Sequence, residues 1–181
     1  MKKHLMALLL LVSLLCTVLS GCGDGSAEQT PEDRAQANTI NVGIAQDLDE
    51  SLDPHKTVKA GTREVMFNVF EGLMKPTSNG DLTPAVAESY TVSDDHRTYT
   101  FTLREGVKFH NGDAVTAEDV IYSIQRCIAP AETGIVPVEA FSIITDIQAL
   151  DERTVAITIS EPSNEFISYL TTAILPADYE E

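Results

Sequence analysis

Few residues in this sequence have the types and spacing that chemistry requires. His55, His96 and His110 lie in predicted loops or at a strand end, and none has the short His, Cys or carboxylate spacing of a metal site. His110 and Asp113 come closest, but the Asn-Gly turn between them explains both residues without a metal. We therefore expect no bound metal.

Paired acids and one thiol are the other reactive groups to consider. The pairs at 94–95 and 118–119 fall at a predicted turn and a predicted helix start, where solvation and the helix dipole favour carboxylates. Cys127 lies on the apolar stripe of a predicted helix, which favours a core position over a nucleophile. The sequence contains neither a Gly-x-Ser-x-Gly turn nor a phosphate-binding glycine loop. It predicts no catalytic residue, no enzyme activity and no cofactor.

The most informative thiol is that of Cys22. A basic start (residues 2–4) precedes an apolar run (residues 5–19), and the small residues Ser20 and Gly21 lead to the cysteine. This is the layout of an export signal. The run is shorter than the roughly 20 residues that a membrane-spanning helix needs, which favours a cleaved signal over an anchor.

Residues 19–22, Leu-Ser-Gly-Cys, resemble the lipobox of bacterial lipoproteins. In such proteins the cysteine thiol is acylated, as with palmitate, and the peptide before it is removed. The resemblance implies a lipoprotein signal peptide over residues 1–21 and lipid attachment at Cys22. It places the protein at the cell membrane, lipid-anchored on the extracytoplasmic (periplasmic or extracellular) side.

Charge and composition narrow the range of partners. The net charge of −16, from 28 acidic and 12 basic residues, excludes nucleic acid, whose phosphates need clustered Lys and Arg. It also argues against adsorption on anionic lipid, which leaves the acyl chain as the membrane contact. Residues 23–38 contain no large apolar side chain, so we predict a flexible tether over residues 22–38. After loss of the signal and lipidation, Cys127 alone remains, so no internal disulfide is expected.

The elements that follow mix strands and helices. Residues 40–44 alternate in polarity like a strand with one buried face. An apolar stripe predicts a helix over 61–73, with Thr62 as its cap and Gly72 as a left-handed stop. Residues 84–90 are expected to form a short helical turn. The remaining predicted elements are strands over 98–103 and 107–109, a helix that begins with a capping box at 116–119, strands over 143–150 and 154–160, and a short helix over 165–173. The mixture predicts an α+β fold.

Five motifs in order resemble the extracellular solute-binding proteins of the peptide and nickel importer family, often called family 5. They are residues 51–55 (SLDPH), 70–73 (FEGL), 84–90 (PAVAESY), 99–113 (YTFTLREGVKFHNGD) and 115–120 (VTAEDV). The resemblance implies the amino-terminal part of a two-lobed, type II-like periplasmic-binding-protein clamshell, built mostly of antiparallel strands with a few helices.

The resemblance also implies a domain plan and partners. Residues 39–52 would start lobe I, residues 53–165 would form a small extra lobe, and residues 166–181 would return toward lobe I, where the chain is truncated. The implied function is a substrate-binding lipoprotein of an ABC importer. It would capture peptides or a similar small solute and deliver it to the permease subunits in the membrane, although here the protein is incomplete.

The resemblance further implies a ligand-binding segment. In relatives that take peptides, backbone in the loop after the opening motif lines the cleft, and by motif position that loop is Val58, Lys59, Ala60 and Gly61. An ordinary loop before a helix would have the same sequence.

Other functions stay open at this point. One is a stand-alone surface lipoprotein that reuses one lobe as a binding module, and another is a non-functional truncated remnant. A third is a metal-assisted hydrolase that uses His110 and Asp113. Cooperative unfolding of a monomer would favour the module, and bound metal would favour the hydrolase.

Overall fold

The computed structural model describes residues 42–128 and 134–179 of the chain. The predicted signal peptide, the predicted lipidation site Cys22 and the predicted tether lie outside the described residues. None of the helices in the two described stretches has the length and apolar character that crossing a bilayer requires.

The described elements alternate hairpins with single helices. In chain order they are α1 (Ala60–Val69), β1 (Met74–Pro76), β2 (Leu82–Pro84), β3 (Ala87–Val92), β4 (Thr98–Leu103), α2 (Ala117–Ile128), a 3-10 helix (Glu139–Ile143), β5 (Ile144–Asp151), β6 (Thr154–Ile159) and α3 (Phe166–Tyr169). Strands β1 and β2 pair with each other, and the other four form an antiparallel sheet in the order β3-β4-β6-β5. The prediction of an α+β chain with mostly antiparallel strands is confirmed.

The central strand β4 shows why the sequence pattern predicted this sheet. Its threonines are half-buried, whereas Tyr99, Phe101 and Leu103 are buried on the other face. Phe101 lies opposite Val155 of β6, and Tyr99 lies opposite Ile157. Such aromatic and β-branched pairs across strands fix the register, because a slip by one residue would turn the apolar face to water.

Helix α2 covers the apolar face of this sheet. Phe101, Phe141 and Phe166 are fully buried between the sheet, α2 and the 3-10 helix. The rings of Phe141 and Phe166 meet edge to face with centroids 6.4 Å apart. Burying side chains of this size contributes roughly 1.5–3 kcal/mol each. This core holds the elements that flank the candidate site.

The start of α2 also fastens the carboxyl-terminal segment. As the capping box predicts, the Thr116 N–H donates to Asp119 Oδ2 at 2.8 Å. Asp119 Oδ1 accepts the N–H of Ala177 at 2.8 Å. One turn later, Ser123 Oγ accepts the N–H of Leu175 at 2.8 Å. Residues 174–177 are therefore attached along α2.

Two predictions in the first half of the chain are wrong in detail. The helical turn predicted over 84–90 does not form, because β3 pairs there with β4, from Ala87 opposite Leu103 onward. The strand predicted over 107–109 is reduced to a single bridge between Lys108 and Ala114. In both places the pairing available to the backbone, which is a long-range property, decides the structure.

The helix predicted over 61–73 begins and ends elsewhere. It ends at Val69, and Phe70 is extended. Gly72 is not a left-handed stop. A Cβ atom there would lie 2.6 Å from the carbonyl oxygen of Leu170, so this glycine allows two chain segments to touch. Thr62 caps nothing, since the helix starts before it.

The prediction of a strand over 40–44 is wrong for residues 42–44, which the structure describes. Val42 and Ile44 lie in irregular chain, and the Val42 side chain is 77% exposed. No strand among residues 42–128 and 134–179 pairs with them. Alternation in the sequence does not make a strand where no partner is in place. Ile40 lies outside the described residues.

Candidate ligand-binding segment

The four predicted residues Val58, Lys59, Ala60 and Gly61 form the entry to α1 and are called here the 58–61 segment. Val58, Lys59 and Ala60 are exposed, whereas Gly61 is buried. The Val58 side chain is 61% exposed although it is apolar. The segment thus presents an apolar side chain and a cation to solvent. Its role in binding stays a prediction.

At its first two residues the segment is held by a carboxylate. Asp49 Oδ2 accepts the backbone N–H of Lys59 at 2.9 Å and that of Val58 at 3.2 Å. Lys59 returns a hydrogen bond, from Nζ to the carbonyl oxygen of Leu48 at 2.7 Å. The N–H of Lys59 is the main reason that the pKa of Asp49 lies below its ordinary value, and partial desolvation opposes this shift.

On its amino-terminal side the segment is held by a buried ion pair. Asp53 is fully buried, and its two carboxylate oxygens accept hydrogen bonds from Arg126 at 2.6 Å and 3.1 Å. This bidentate geometry is the strongest interaction that a guanidinium and a carboxylate can form. The Thr57 hydroxyl donates to the Asp53 carbonyl at 2.9 Å, which joins the pair to the residue just before Val58. The ion pair therefore ties the loop to α2.

His55 completes this buried cluster. Its Nδ1 faces Arg126 Nη1 at 3.1 Å, and its Nε2 lies 2.9 Å from the carbonyl oxygen of Ala173. Since a guanidinium only donates and a carbonyl only accepts, the neutral ring must carry its proton on Nε2. His55 thus links the loop both to α2 and to the carboxyl-terminal segment.

Burial sets the ionisation of the cluster. It is the main reason that the pKa of His55 lies below its ordinary value, the hydrogen bond to Ala173 opposes the shift, and the charge of Arg126 reinforces it. Burial by itself raises the pKa of Asp53. The hydrogen bonds from Arg126 and from the His55 backbone outweigh burial and leave the Asp53 pKa below its usual value. At neutral pH the cluster is an ion pair with a neutral imidazole.

A groove of about 440 Å³ opens beside this cluster, between α1 and the chain near Ala173. Met66, Phe67 and Phe70 form much of its wall, and Arg63 supplies a cation. Phe67 is 61% exposed. The groove beside the cluster therefore presents apolar side chains together with a cation.

The residues considered for catalysis are not brought together. His110 is exposed in a turn where Asn111 Nδ2 donates to Asp113 Oδ2 at 2.7 Å. Across residues 42–128 and 134–179, no group of three His, Cys, Asp or Glu side chains could hold a metal ion. Burial raises the pKa of the Cys127 thiol to about 11, so it stays protonated and unreactive at neutral pH.

Sequence reasoning missed Asp49, Asp53, His55 and Arg126 as a supporting set. Asp53 and Arg126 are 73 positions apart, so no local spacing relates them. One clue was present. Arg126 lies beside Cys127 near the end of the apolar stripe of α2, and a charge buried there requires a carboxylate partner.

Comparison with known proteins identifies the class. The chain is built like a periplasmic binding protein, and the family model described as bacterial extracellular solute-binding proteins, family 5 (middle) matches residues 81–180. The chain belongs to this family. Since the family consists of solute-binding proteins, the prediction that the chain is not an enzyme is confirmed.

Individual relatives agree. The chain is 39% identical over 104 residues to the periplasmic oligopeptide-binding protein OppA of Haemophilus influenzae, which covers 58% of this chain and 19% of that protein. It is 35% identical over 149 residues to a glutathione-binding protein, GsiB, of Escherichia coli, over 80% of this chain and 29% of the relative. The crystal structure of Haemophilus influenzae OppA in complex with RPPGFSPFR matches with a TM-score of 0.64 at 29% identity, over 72% of this chain and 32% of that one.

These matches confirm the predicted fold, the amino-terminal part of a two-lobed binding protein. They also place the relatives outside the cytoplasm, as periplasmic proteins. The chain spans between 19% and 32% of the length of the relatives and the structure named above.

Proposed function

We propose that this chain forms one wall of a peptide-binding cleft in a lipid-anchored solute-binding protein, which delivers its solute to the permease of an ABC importer. The observation that carries the proposal is the 58–61 segment. Val58 is exposed and apolar, yet the segment is anchored by Asp49 and is joined through Thr57 to the buried Asp53–Arg126 pair. Binding residues are found disproportionately on loops that a rigid scaffold holds in position.

The names of the relatives support a peptide as the solute. One is named for oligopeptides and another for glutathione, itself a small peptide, and a structural neighbour is bound to a nonapeptide. We therefore propose peptides or a similar small solute as ligand. We propose the same domain plan as the sequence resemblance: lobe I from 39–52, an extra lobe over 53–165, and a return toward lobe I over 166–181.

Peptide binding tests the role of the segment. Calorimetric titration of the purified chain, without its signal, with pools of di- to pentapeptides is expected to show saturable binding. Val58→Asp should weaken binding by about tenfold or more, because a charge then replaces apolar contact surface. Leu150→Asp is the matched control, since Leu150 is also exposed (55%) but lies on β5. Absence of binding to the unmodified chain, or equal losses in both variants, would contradict the proposal.

Lipid anchoring is tested separately. Mass spectrometry of the mature protein from membranes is expected to show residues 1–21 removed and acyl groups on Cys22. Cys22→Ser should leave the protein unacylated and released from the membrane fraction. An unmodified Cys22 in the mature protein would remove the lipid anchor from the proposal and leave peptide binding untouched.

A stand-alone binding module is the second candidate. The observation that favours it is the closed core of the sheet and α2, in which Phe101, Phe141 and Phe166 are fully buried. A monomer that unfolds cooperatively, and whose peptide affinity does not change when a polypeptide with the second lobe is added, would support the module. A chain whose peptide affinity rises when that polypeptide is added would support the two-walled cleft.

A further inference from the structure

The two residues that lead into α1 are held by a residue outside the helix. A helix begins with backbone N–H groups that have no partner inside the helix, and a side chain at the N-cap usually accepts one of them. Here the N-cap is Lys59, and its side chain makes no capping bond. The acceptor is Asp49 instead, ten positions earlier in the chain, which takes the N–H groups of both Val58 and Lys59.

Asp49 is itself held in place by α1. Its own N–H donates to Thr62 Oγ1 at 2.6 Å, and Thr62 is fully buried. Gly61 allows the close approach that this requires, because a Cβ there would lie 3.2 Å from Gln46 Cβ and 3.3 Å from the Asp47 carbonyl oxygen. The loop at 46–49 and the start of α1 therefore fix each other by several independent contacts.

We propose that Asp49 is a positioning residue that sets the backbone of the 58–61 segment before a solute arrives. This rests on the proposed function, in which that segment lines the cleft. Ordering a loop on binding costs affinity, so a segment that is ordered beforehand binds more tightly with the same contacts. Asp49 acts through the backbone of the segment and does not itself touch the solute.

The same geometry limits what the segment can recognise. The entry to a helix is normally a place where an anion can bind, because the N–H groups point outward. Here the carboxylate of Asp49 already occupies the N–H groups of Val58 and Lys59. A solute carboxylate would have to displace it in order to bind these two N–H groups.

Amide hydrogen exchange in the full chain tests the positioning role without any ligand. Asp49→Ala is expected to speed exchange at the Val58 and Lys59 amides by about tenfold or more and to leave the β4 amides unchanged. Compared with Asp49→Ala, Asp49→Asn should restore much of the protection, because the asparagine side-chain oxygen can still accept these N–H groups. Asp47→Ala is the matched control, with the same charge change in the same loop.

A pH profile separates the capping carboxylate from general support of the fold. In the unmodified chain, protection of the two amides should fall as pH drops through the lowered pKa of Asp49, after correction for intrinsic exchange. Asp49→Asn should lack this step. Equal exchange in Asp49→Ala and the unmodified chain, or equal acceleration in β4, would overturn the proposal.

A peptide-binding experiment tests whether positioning by Asp49 affects affinity. With a peptide that the unmodified chain binds in the titration above, Asp49→Ala should lower affinity and Asp47→Ala should not. If affinity is unchanged while amide protection is lost, the positioning role in binding is refuted. If the unmodified chain binds no peptide, the proposed function fails, while the exchange experiment still decides whether Asp49 orders the segment.

Discussion

The 58–61 segment is held by two carboxylates in opposite surroundings. Asp53 is fully buried and accepts hydrogen bonds from Arg126 of α2 and from the His55 backbone. Asp49 is close to the surface and accepts the backbone N–H groups of Val58 and Lys59, just before α1. Both carboxylates have lowered pKa values. The two carboxylates are therefore ionised alike but have different roles in the protein.

This difference in role follows from how far each carboxylate is exposed to solvent. Near the surface, water and salt screen a charge, so losing a partner costs little and the effect stays local. In the interior, a carboxylate that loses its guanidinium is left charged with no water to solvate it, and the whole domain bears the cost. We infer that the Asp53 cluster stabilises the fold, while Asp49 controls local order.

The largest expected effect comes from breaking the buried pair. Arg126→Met keeps most of the apolar length of the side chain but leaves Asp53 without its guanidinium. We expect a loss of about 3–5 kcal/mol in the free energy of unfolding, measured by urea denaturation at neutral pH. Arg153→Met is the matched control, because Arg153 pairs with Glu105 at 3.9 Å on the surface and should lose less than about 1 kcal/mol.

A double variant sharpens this result. Asp53→Asn combined with Arg126→Met removes both charges, and the asparagine oxygen can still accept the His55 N–H. The double variant should be more stable than Arg126→Met alone, because no buried charge is left unpaired. If Arg126→Met and Arg153→Met have equal cost, the contrast between the buried and the exposed attachment is wrong.

A smaller effect is expected from the buried imidazole. Its pKa is lowered in the folded state, so below the ordinary value of 6.5 the unfolded chain binds a proton that the folded chain resists. The stability that neutral His55 contributes is therefore fully present above that pH and is lost as pH falls toward the lowered folded pKa. Stability should therefore decline as pH falls below 6.5 toward the lowered pKa of folded His55.

Histidine variants isolate that decline. His55→Gln should flatten the pH dependence, since glutamine can accept from Arg126 and donate to Ala173 without titrating in this range. His110→Gln, at an exposed turn, should leave it unchanged. Denaturant unfolding at several pH values measures both. An identical slope in His55→Gln and the unmodified chain would show that His55 does not cause the decline.

The sheet and α2 could be predicted because their determinants are local. The alternation in β4 and in the β5–β6 hairpin follows from one buried face, and the capping box at Thr116 and Asp119 begins α2 as predicted. Where contact with a distant segment decides the local structure, the sequence pattern gave a wrong prediction. Residues 84–90 are extended because β4 pairs with β3, and Gly72 serves a contact with Leu170 instead of a helix stop.

The candidate site also has one part that the sequence predicted and another that it did not. The position of the 58–61 segment, a loop that leads into a helix, came from motif order and a local pattern. Its two anchors did not, because Asp49 and Arg126 are identified only once the chain has folded back on itself. Charged residues in loops and at helix ends are usually solvated, so their types alone do not reveal which ones are structural.

Cys127 has a consequence for a protein that works outside the cytoplasm. Cys127 is 1% exposed, and burial raises the pKa of its thiol to about 11, so the thiol stays protonated at neutral pH. Oxidants and foreign disulfides attack the thiolate form, which is almost absent here, and they cannot reach the sulfur while α2 stays packed on the sheet. The chain can therefore carry a reduced cysteine through an oxidising compartment without forming mixed disulfides, for as long as it remains folded.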